Sequence, residues 1–497
     1  MHFAVDLKWK RWSSIKLLRP RFAGSCTDLF DVTERMQALY QKHSKSSLPF
    51  RLPSLFCPDI FVGLSERKTL DVRSQHELSV DEAHFDLLAS DYTFLTDKTR
   101  HPKVHQDVIK LLLRPRQALE SWIPVVGQEV MLAFDDALAS HPMTRKPSNY
   151  ERSNLHTMLK DVVARAANRV ICGTELCYDE TYIKNALAFI TMVPYASSII
   201  RLCPKWLRPL VGRMCSLPSR YFYAKSAFCS IPIIEQRIEA AGDMKQERLH
   251  PDILQALVCR AVQDQDPAER TPRQISIRLL VLIFATIFPS FSMVWNTVLD
   301  LVSAPQEAQF IDGIREEIAR VKGHGQPLSS WTFSELDRLW RLDSALKESM
   351  RRWSPLQFAA TRTVVSRSGY KLPDGTTVRS GATIGLPMHA IHHDPEFYPN
   401  PETYDAFRFA KLREQAVGQE QRRHQLTSTS SAQYVGFGLP LNACPGRHFA
   451  AVLMKLILIH LLTTFDLEHL EERPQPLYLG GVVLPPGAVH IGFRRRT

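Results

Sequence analysis

The stretch Cys444-Pro445-Gly446-Arg447 places a thiol directly before a predicted helix. Residues 448–465 are almost continuously apolar, which predicts a helix that begins close to the cysteine. A helix N-terminus carries unpaired backbone N–H groups and the positive end of the helix dipole, and both stabilise a thiolate. Cys444 is therefore a candidate for thiolate chemistry. A buried structural cysteine is the alternative that this residue alone leaves open.

A second set of residues could form an ion-pair network. Glu348 and Arg351 lie at positions i and i+3 of a predicted helix, so their side chains share one face. Downstream, Arg408 stands between Phe407 and Phe409. If all three charged side chains are buried, one carboxylate can bind both guanidinium groups. Each feature alone is equally typical of an ordinary solvated ion pair.

The elements that must position these residues are mostly helices. Apolar residues recur at three- and four-residue spacing through much of the region 30–350, as in 101–122 and 226–241. Strand-like patterns are restricted to 47–64, 361–384 and 478–493. The sequence therefore predicts a mainly α fold with small β-sheets, of the α+β class. The polar segment 411–433 predicts a surface loop.

The longest charge-free run covers residues 279–299 and is long enough to cross a bilayer. It contains Pro289 and several hydroxyl and amide side chains, and no second apolar run offers it a spanning partner. A long helix through the centre of the protein fits the run better. In such a helix Pro289 cannot donate to the carbonyl of Ala285, which predicts a kink. The freed carbonyl then needs a water, a hydroxyl or a ligand.

The composition limits the classes of protein to consider. Hydrophobic residues make up 44% and charged residues 23%, which is ordinary globular usage. No shift in composition marks a seam, so we expect a short N-terminal segment, 1–30, and a single domain over 31–497. The net charge of +11 permits an acidic partner. Since the basic residues are scattered and carry no recognition motif, nucleic acid is not expected as a partner.

The nine cysteines are odd in number and lack C-x-x-C spacing, which predicts a reducing compartment without a disulfide framework or a zinc site. In the N-terminal segment Lys and Arg interrupt every apolar run, so we expect neither a signal peptide nor an anchor helix there. Residues 199–217 alternate Lys205, Arg208 and Arg213 with apolar residues such as Trp206. That pattern suits a membrane surface, and it is equally typical of a helix packed on the core.

Taken in order and spacing, these features resemble the heme-thiolate monooxygenases, the cytochrome P-450 family. The residues that carry the resemblance are Glu348, Arg351, Arg408, Phe437, Cys444 and Gly446. The resemblance extends over nearly the whole chain. The stretches ELSVDEAHFDLLASDYTFLTD, near residue 80, and RHQLTSTSSAQYVGFG, before the cysteine, resemble fungal members that act in secondary metabolism.

The resemblance implies a P-450 type fold in which the long charge-free helix crosses over a heme b. Cys444 would be the axial ligand of the heme iron, and its donated electron density favours O–O cleavage. Phe437 would shield the sulfur, and Gly446 would let the backbone approach the flat cofactor. Arg362, and more weakly His105, would meet a heme propionate. The network of Glu348, Arg351 and Arg408 would support the cysteine loop.

Two positions depart from the family pattern. Pro440 and Asn442 stand where the family usually has a glycine and a basic residue, and the latter normally contacts a propionate. In the charge-free helix, Phe288 and Pro289 stand where an acidic or polar residue and a threonine normally deliver protons.

The second departure leaves several interpretations open. We expect a water chain, held by the carbonyl of Ala285 with Thr286, Ser290 or Ser292, to replace the usual pair. Alternatively, the substrate supplies a hydroxyl, or the enzyme is an isomerase or dehydratase that inserts no oxygen. A non-catalytic heme-binding sensor is the third interpretation.

Substrate and partners follow from the same resemblance. Phe284, Ile287 and Phe288 would line the pocket, which predicts a hydrophobic substrate of terpenoid, polyketide or alkaloid type. Electrons would come from an NADPH-dependent flavin reductase that docks near Arg447 and His448. Since no anchor helix is expected, the protein would be soluble or peripheral on the cytoplasmic side of the endoplasmic reticulum membrane.

Overall fold

The computed structural model of the chain describes most residues beyond the N-terminal segment. The ranges are 32–52, 54, 57–71, 76–98, 103–140, 144–145, 151–241, 251–431, 433–487 and 489–496. The predicted N-terminal segment, 1–30, lies outside them, so the expectation of a missing anchor helix stays a prediction.

Helices make up most of the described chain. The first half contains Thr33–Lys42, Arg67–Leu70, Val80–Leu88, Ser90–Thr93, Lys103–Leu112, Arg116–Ser140, Leu155–Ile171, Gly173–Cys177, Glu180–Leu202 and Arg208–Glu239. The second half contains Ile253–Val262, Pro272–Val302, Phe310–Lys322, Phe333–Asp337, Trp340–Trp353, Met388–His392, Arg408–Gln415, Gln419–His424 and Arg447–Thr464. Short 3₁₀ turns connect several of them, among them Pro440–Asn442 in the cysteine loop.

The strands are short and form small sheets. In chain order they are β1 Ile60–Phe61, β2 Leu78–Ser79, β3 Thr144–Arg145, β4 Glu151–Ser153, β5 Ala359–Val364, β6 Tyr370–Lys371, β7 Thr377–Val378, β8 Thr383–Leu386, β9 Phe465–Leu467, β10 Leu477–Leu479, β11 Val482–Leu484 and β12 Ile491–Arg495. Two sheets have four described strands each, in the orders β1-β8-β5-β2 and β3-β4-β12-β9, and the pairs β6-β7 and β10-β11 are separate hairpins. The predicted mainly α fold with small sheets is confirmed.

The segment Pro373-Asp374-Gly375 forms the turn that joins β6 to β7. Gly375 has φ +87°, a left-handed conformation that glycine adopts without strain. The Leu372 N–H donates to the Thr376 carbonyl over 2.8 Å, which closes the hairpin.

The helix Pro272–Val302, called the central helix below, begins with a capped first turn. The Thr271 side chain accepts a hydrogen bond from the Gln274 N–H, and Pro272 occupies the first turn, where its missing N–H costs nothing. The helix runs without interruption through Pro289. Most of its residues are buried in the larger of two hydrophobic clusters, and the smaller cluster surrounds the sheet that contains β5.

Three described helices are long and apolar enough to cross a membrane, judged by length and composition: Glu180–Leu202, the central helix and Arg447–Thr464. In the last two, 67% of the most apolar stretch is buried inside the protein. The central helix also buries Arg278 and Asp300 near its ends. The prediction that the charge-free run is a core helix is therefore confirmed.

The prediction of a surface loop over residues 411–433 is wrong for the first half of that range. Two short helices, Arg408–Gln415 and Gln419–His424, occupy this region. The first of them packs against Trp340–Trp353 and buries Phe409, Ala410 and Arg413. This tertiary burial overrides a local composition that is typical of a loop.

Candidate active site

Cys444 lies between the turn Pro440–Asn442 and the helix Arg447–Thr464, as the sequence predicts. Its N–H donates to the Phe437 carbonyl over 2.9 Å, which closes the cysteine loop. Burial raises the pKa of the Cys444 thiol, whereas the Gly446 N–H, the charge of Arg447 and the Arg447 N–H lower it. The donors at the helix start therefore face the sulfur and favour its anionic form.

The cysteine loop borders an open space inside the protein. The surface of the Cys444 side chain is accessible. Nevertheless, burial among surrounding protein atoms is the main influence on the pKa of its thiol. A side chain with both properties lies on the wall of an internal space. No atom lies within 4 Å of the position that a Cβ on Gly446 would occupy, so the backbone there is open as well.

The predicted ion-pair network is present and buried. Arg351 donates from Nε and Nη2 to the two carboxylate oxygens of Glu348, each over 2.8 Å. Arg408 donates from Nε to Glu348 Oε1 over 3.0 Å. Glu348 and Arg351 are almost fully buried, so the carboxylate and its two cations form a desolvated unit.

His392 connects this network to the cysteine loop. This residue was not predicted from the sequence. Its carbonyl accepts from Arg351 Nη1 over 2.6 Å, and its Nε2 accepts from the Val435 N–H over 3.1 Å. Val435 lies in the segment that leads into the loop. The signal in the sequence is the run His392-His393-Asp394-Pro395, but its partners are far away along the chain.

Arg362 lies in β5 and is 2% exposed. Its Nη1 donates to the Thr361 carbonyl over 2.9 Å, while Nε and Nη2 have no hydrogen-bond partner among the residues that the structure describes. Burial lowers the pKa of Arg362 to about 10, against the charges of Asp71 and Asp81. A buried guanidinium with one free edge fits a carboxylate, which is the group that the sequence analysis assigned to it.

His105 contacts the central helix through Arg278. Its Nδ1 is 2.8 Å from Nη1 of Arg278, and that guanidinium also binds Glu269. Burial and then the charge of Arg278 lower the pKa of His105 to about 3. Its predicted cofactor role stays a prediction, and the contacts of this ring nitrogen do not support it.

The central helix carries an accessible stripe midway along its length. Ala285 is exposed and Val281, Phe284, Phe288 and Pro289 are half-buried, although most of the helix is buried. These residues recur at three- and four-residue spacing, so they share one face. That face is therefore accessible, whereas most of the helix around it is packed against other residues.

Two of the predicted proton-path residues, Ala285 and Ser292, lie on that side of the helix, and two do not. At about 100° per residue, Thr286 is about 100° and Ser290 about 140° away from Ala285 around the helix axis, whereas Ser292 is only about 20° away. Ser290 is buried. The Ser292 hydroxyl is also buried, and it has no hydrogen-bond partner among the described residues.

A metal ion bound directly by the protein at Cys444 would need further side-chain ligands. No group of three or more His, Cys, Asp or Glu side chains within the described ranges could hold a metal ion. A thiolate, an open space and a buried guanidinium with a free edge together fit a flat prosthetic group that carries its own metal and a carboxylate. The site therefore fits a heme.

Comparisons with known proteins agree with this geometry. The sequence profile of the family described as Cytochrome P450 matches residues 73–493. Cytochrome P450 monooxygenase gloP of Glarea lozoyensis is 28% identical over 497 residues, which cover 96% of this chain and 89% of that protein. Cytochrome P450 monooxygenase pyr3 of Aspergillus fumigatus is 32% identical over 504 residues, which cover 95% and 88%.

The fold is also similar to a solved structure. The retinoic acid-bound cyanobacterial CYP120A1 superposes with a TM-score of 0.63 at 18% identity, covering 88% of this chain and 89% of that one. At that identity the similarity concerns the fold alone. Together with the family match over most of the sequence and the geometry at Cys444, it leads to one conclusion: the chain belongs to the cytochrome P450 family.

Proposed function

We propose that this heme-dependent monooxygenase inserts one oxygen atom into a hydrophobic small molecule of fungal secondary metabolism. The observation that carries the proposal is the Cys444 sulfur, which faces helix-start donors and lies on the wall of an internal space. The relatives gloP and pyr3 are fungal monooxygenases, which supports oxygen insertion over an isomerase, a dehydratase or a sensor.

The residues of the chain would hold and shield the cofactor. Bound heme would supply the oxygen chemistry, and the Cys444 thiolate would hold its iron. Phe437, half-buried beside the loop, would cover the sulfur, and Arg362 would bind a propionate through its free edge. Glu348, Arg351 and Arg408 would hold the loop in place through His392.

The accessible stripe of the central helix would form the opposite wall. Phe284 and Phe288 stack with ring centroids 6.1 Å apart, and this pair favours a hydrophobic substrate. Since Pro289 cannot donate to the carbonyl of Ala285, that carbonyl would accept from a water. We place Ser292 beside Thr286 as a hydroxyl that holds this water, because Ser292 lies close to the Ala285 face.

The test of this function begins with the absorption spectrum of the reduced protein under carbon monoxide. A Soret band typical of thiolate ligation is expected, and Cys444→Ala should lose it while Cys203→Ala keeps it. Product that contains oxygen from O₂, formed from an apolar substrate with NADPH and a reductase, would establish the monooxygenase. Turnover without NADPH or O₂ would indicate an isomerase instead, and bound heme without any product would indicate a sensor.

An NADPH-dependent flavin reductase is the proposed electron donor. Burial, and then the charges of Arg447 and Arg114, lower the pKa of His448 to about 4, so both cations lie near this ring. A basic surface of this kind attracts an acidic partner. Arg114→Glu should slow NADPH-dependent reduction, and the rate should fall with rising salt. Arg423→Glu, an exposed charge in another helix, is the control.

The segment 199–217 presents an apolar surface to solvent on one side, while Gly212 and Ser216 are buried on the other. Trp206 is 79%, Leu210 61% and Met214 64% exposed, and their four-residue spacing puts them on one side. Lys205 and Arg213 flank them. We propose that this surface contacts the endoplasmic reticulum membrane from its cytoplasmic side.

Flotation with phospholipid vesicles tests the membrane contact. Leu210→Ser combined with Met214→Ser should reduce the bound fraction. Val417→Ser, which removes an apolar side chain that is 85% exposed elsewhere, should not. Equal binding by both variants would contradict the proposal.

A further inference from the structure

Arg362 has a binding edge that the described protein leaves unfilled. The Nε and Nη2 atoms form the edge of a guanidinium that binds a carboxylate through two parallel hydrogen bonds. Asp71 and Asp81 lie near enough to raise the pKa of Arg362, but burial outweighs them and neither forms a hydrogen bond with it. The edge is therefore available to a ligand.

His84 faces the same guanidinium from another element. It lies in the helix Val80–Leu88, which packs on β5, the strand that carries Arg362. Burial and then the charge of Arg362 lower the pKa of His84, while Asp81 raises it. His84 is nevertheless exposed, so its ring lies on the wall of an internal space, as Cys444 does.

The two residues adjoin the cysteine loop. The Leu441 N–H, in the turn that precedes Cys444, donates to Asp71 Oδ1 over 2.9 Å. Asp71 is also one of the two acids whose charge acts on Arg362. One hydrogen bond therefore ties the loop to Asp71, and the charges of Asp71 and His84's neighbour Arg362 act on one another within the same region.

We propose that His84 is a cofactor-positioning residue that shares a heme propionate with Arg362. Asn442, two residues before Cys444, is neutral, and His105 is bound to Arg278. An imidazole N–H from His84 supplies the second donor to the carboxylate. This inference rests on the proposed heme-thiolate function.

Heme retention tests the proposal, with the intact holoenzyme and apomyoglobin as the heme acceptor. His84→Leu should release heme about tenfold faster or more, because a hydrogen bond to a charged group is lost. His84→Gln keeps a donor and should stay close to the parent rate. Resonance Raman bands of the propionates should shift in His84→Leu and not in His424→Leu, which changes an exposed histidine.

Heme dimethyl ester provides a second measurement that does not depend on the stability of one variant. The ester has no carboxylate, so the parent and His84→Leu proteins should release it at equal rates. A parent-like rate of heme release from His84→Leu, with the thiolate spectrum intact, would overturn the role of His84 and leave the proposed function standing. A parent protein that binds no heme would overturn both.

Discussion

His392 accepts a hydrogen bond from the Val435 N–H at Nε2 over 3.1 Å, and its Nδ1 lies 3.2 Å from the Arg351 carbonyl. These contacts define one tautomer, with the proton on Nδ1 and the lone pair on Nε2. Burial, and then the charge of Arg351, lower the pKa of His392 to about 3, so the ring is neutral near pH 7. A neutral imidazole thus joins the buried ion pair to the cysteine loop.

Replacing His392 should loosen the cysteine loop. In His392→Phe the Val435 N–H and the Arg351 carbonyl lose their partner, so we expect the protein to be destabilised by about 1–3 kcal/mol. The fraction of heme with thiolate ligation should fall as well. Chemical denaturation of the holoenzyme and the carbon monoxide spectrum measure the two effects. His424→Phe, at an exposed site, is the control, and equal behaviour of both variants would contradict the connection.

Removing the charge of Glu348 should destabilise the protein far more than breaking an ion pair on the surface. In Glu348→Gln the charge that Arg351 and Arg408 share is gone, and we expect a loss of about 3–5 kcal/mol in unfolding free energy. Lys411→Ala breaks an ion pair with Asp405 whose lysine is 59% exposed, and should cost about 1 kcal/mol or less. Urea titrations of both variants compare the two sites. Similar losses would show that burial of the network has little effect.

The position of each serine around the axis of the central helix predicts which of them affects proton delivery. Ser292→Ala should lower the product formed per NADPH consumed and change the solvent isotope effect, because a hydroxyl on the same side of the helix as Ala285 is lost. Ser290→Ala should change both quantities less, since Ser290 lies about 140° from Ala285. Assays with one substrate and a saturating reductase compare them. A larger effect at Ser290 would contradict the choice of Ser292 among the hydroxyls predicted from the sequence.

Buried histidines should make the protein sensitive to acid. The folded pKa of His105 and of His392 is about 3, below the ordinary value of 6.5. The unfolded chain therefore binds protons first, and stability is lost as the pH falls from 6.5 towards 3. Each histidine contributes a slope of about 1.4 kcal/mol per pH unit. Denaturation of His105→Gln across this range should show a slope smaller by that amount, and an unchanged slope would show that the ring titrates normally.

The sequence predicted those parts of the structure that depend on local pattern. The charge-free run became the central helix, and Cys444 precedes a helix whose backbone donors face its sulfur. Strands such as Leu78–Ser79 and Glu151–Ser153 were not predicted, because two or three residues are too few to show an alternation of apolar and polar residues. They are strands only because distant segments pair with them.

The local sequence pattern also could not predict which charged residues are buried among apolar ones, or what their partners are. Lys455 interrupts the apolar helix after Cys444, and it is buried against Asp343, with 2.6 Å between Nζ and Oδ1. His105 binds Arg278 across 173 positions of the chain, so no spacing rule could separate it from a cofactor ligand. The free edge of Arg362 is likewise visible only once its neighbours are known.

Pro289 also has a consequence at the level of codons. Every proline codon becomes a threonine codon through one change of its first base, so the residue usual in the family at this position is a single point mutation away. At this position the stripe is therefore one mutational step from the common arrangement, from which Phe288 still departs. Pro289→Thr would restore the backbone hydrogen bond and add a hydroxyl at once, which makes that single substitution a direct comparison of the two ways of delivering a proton.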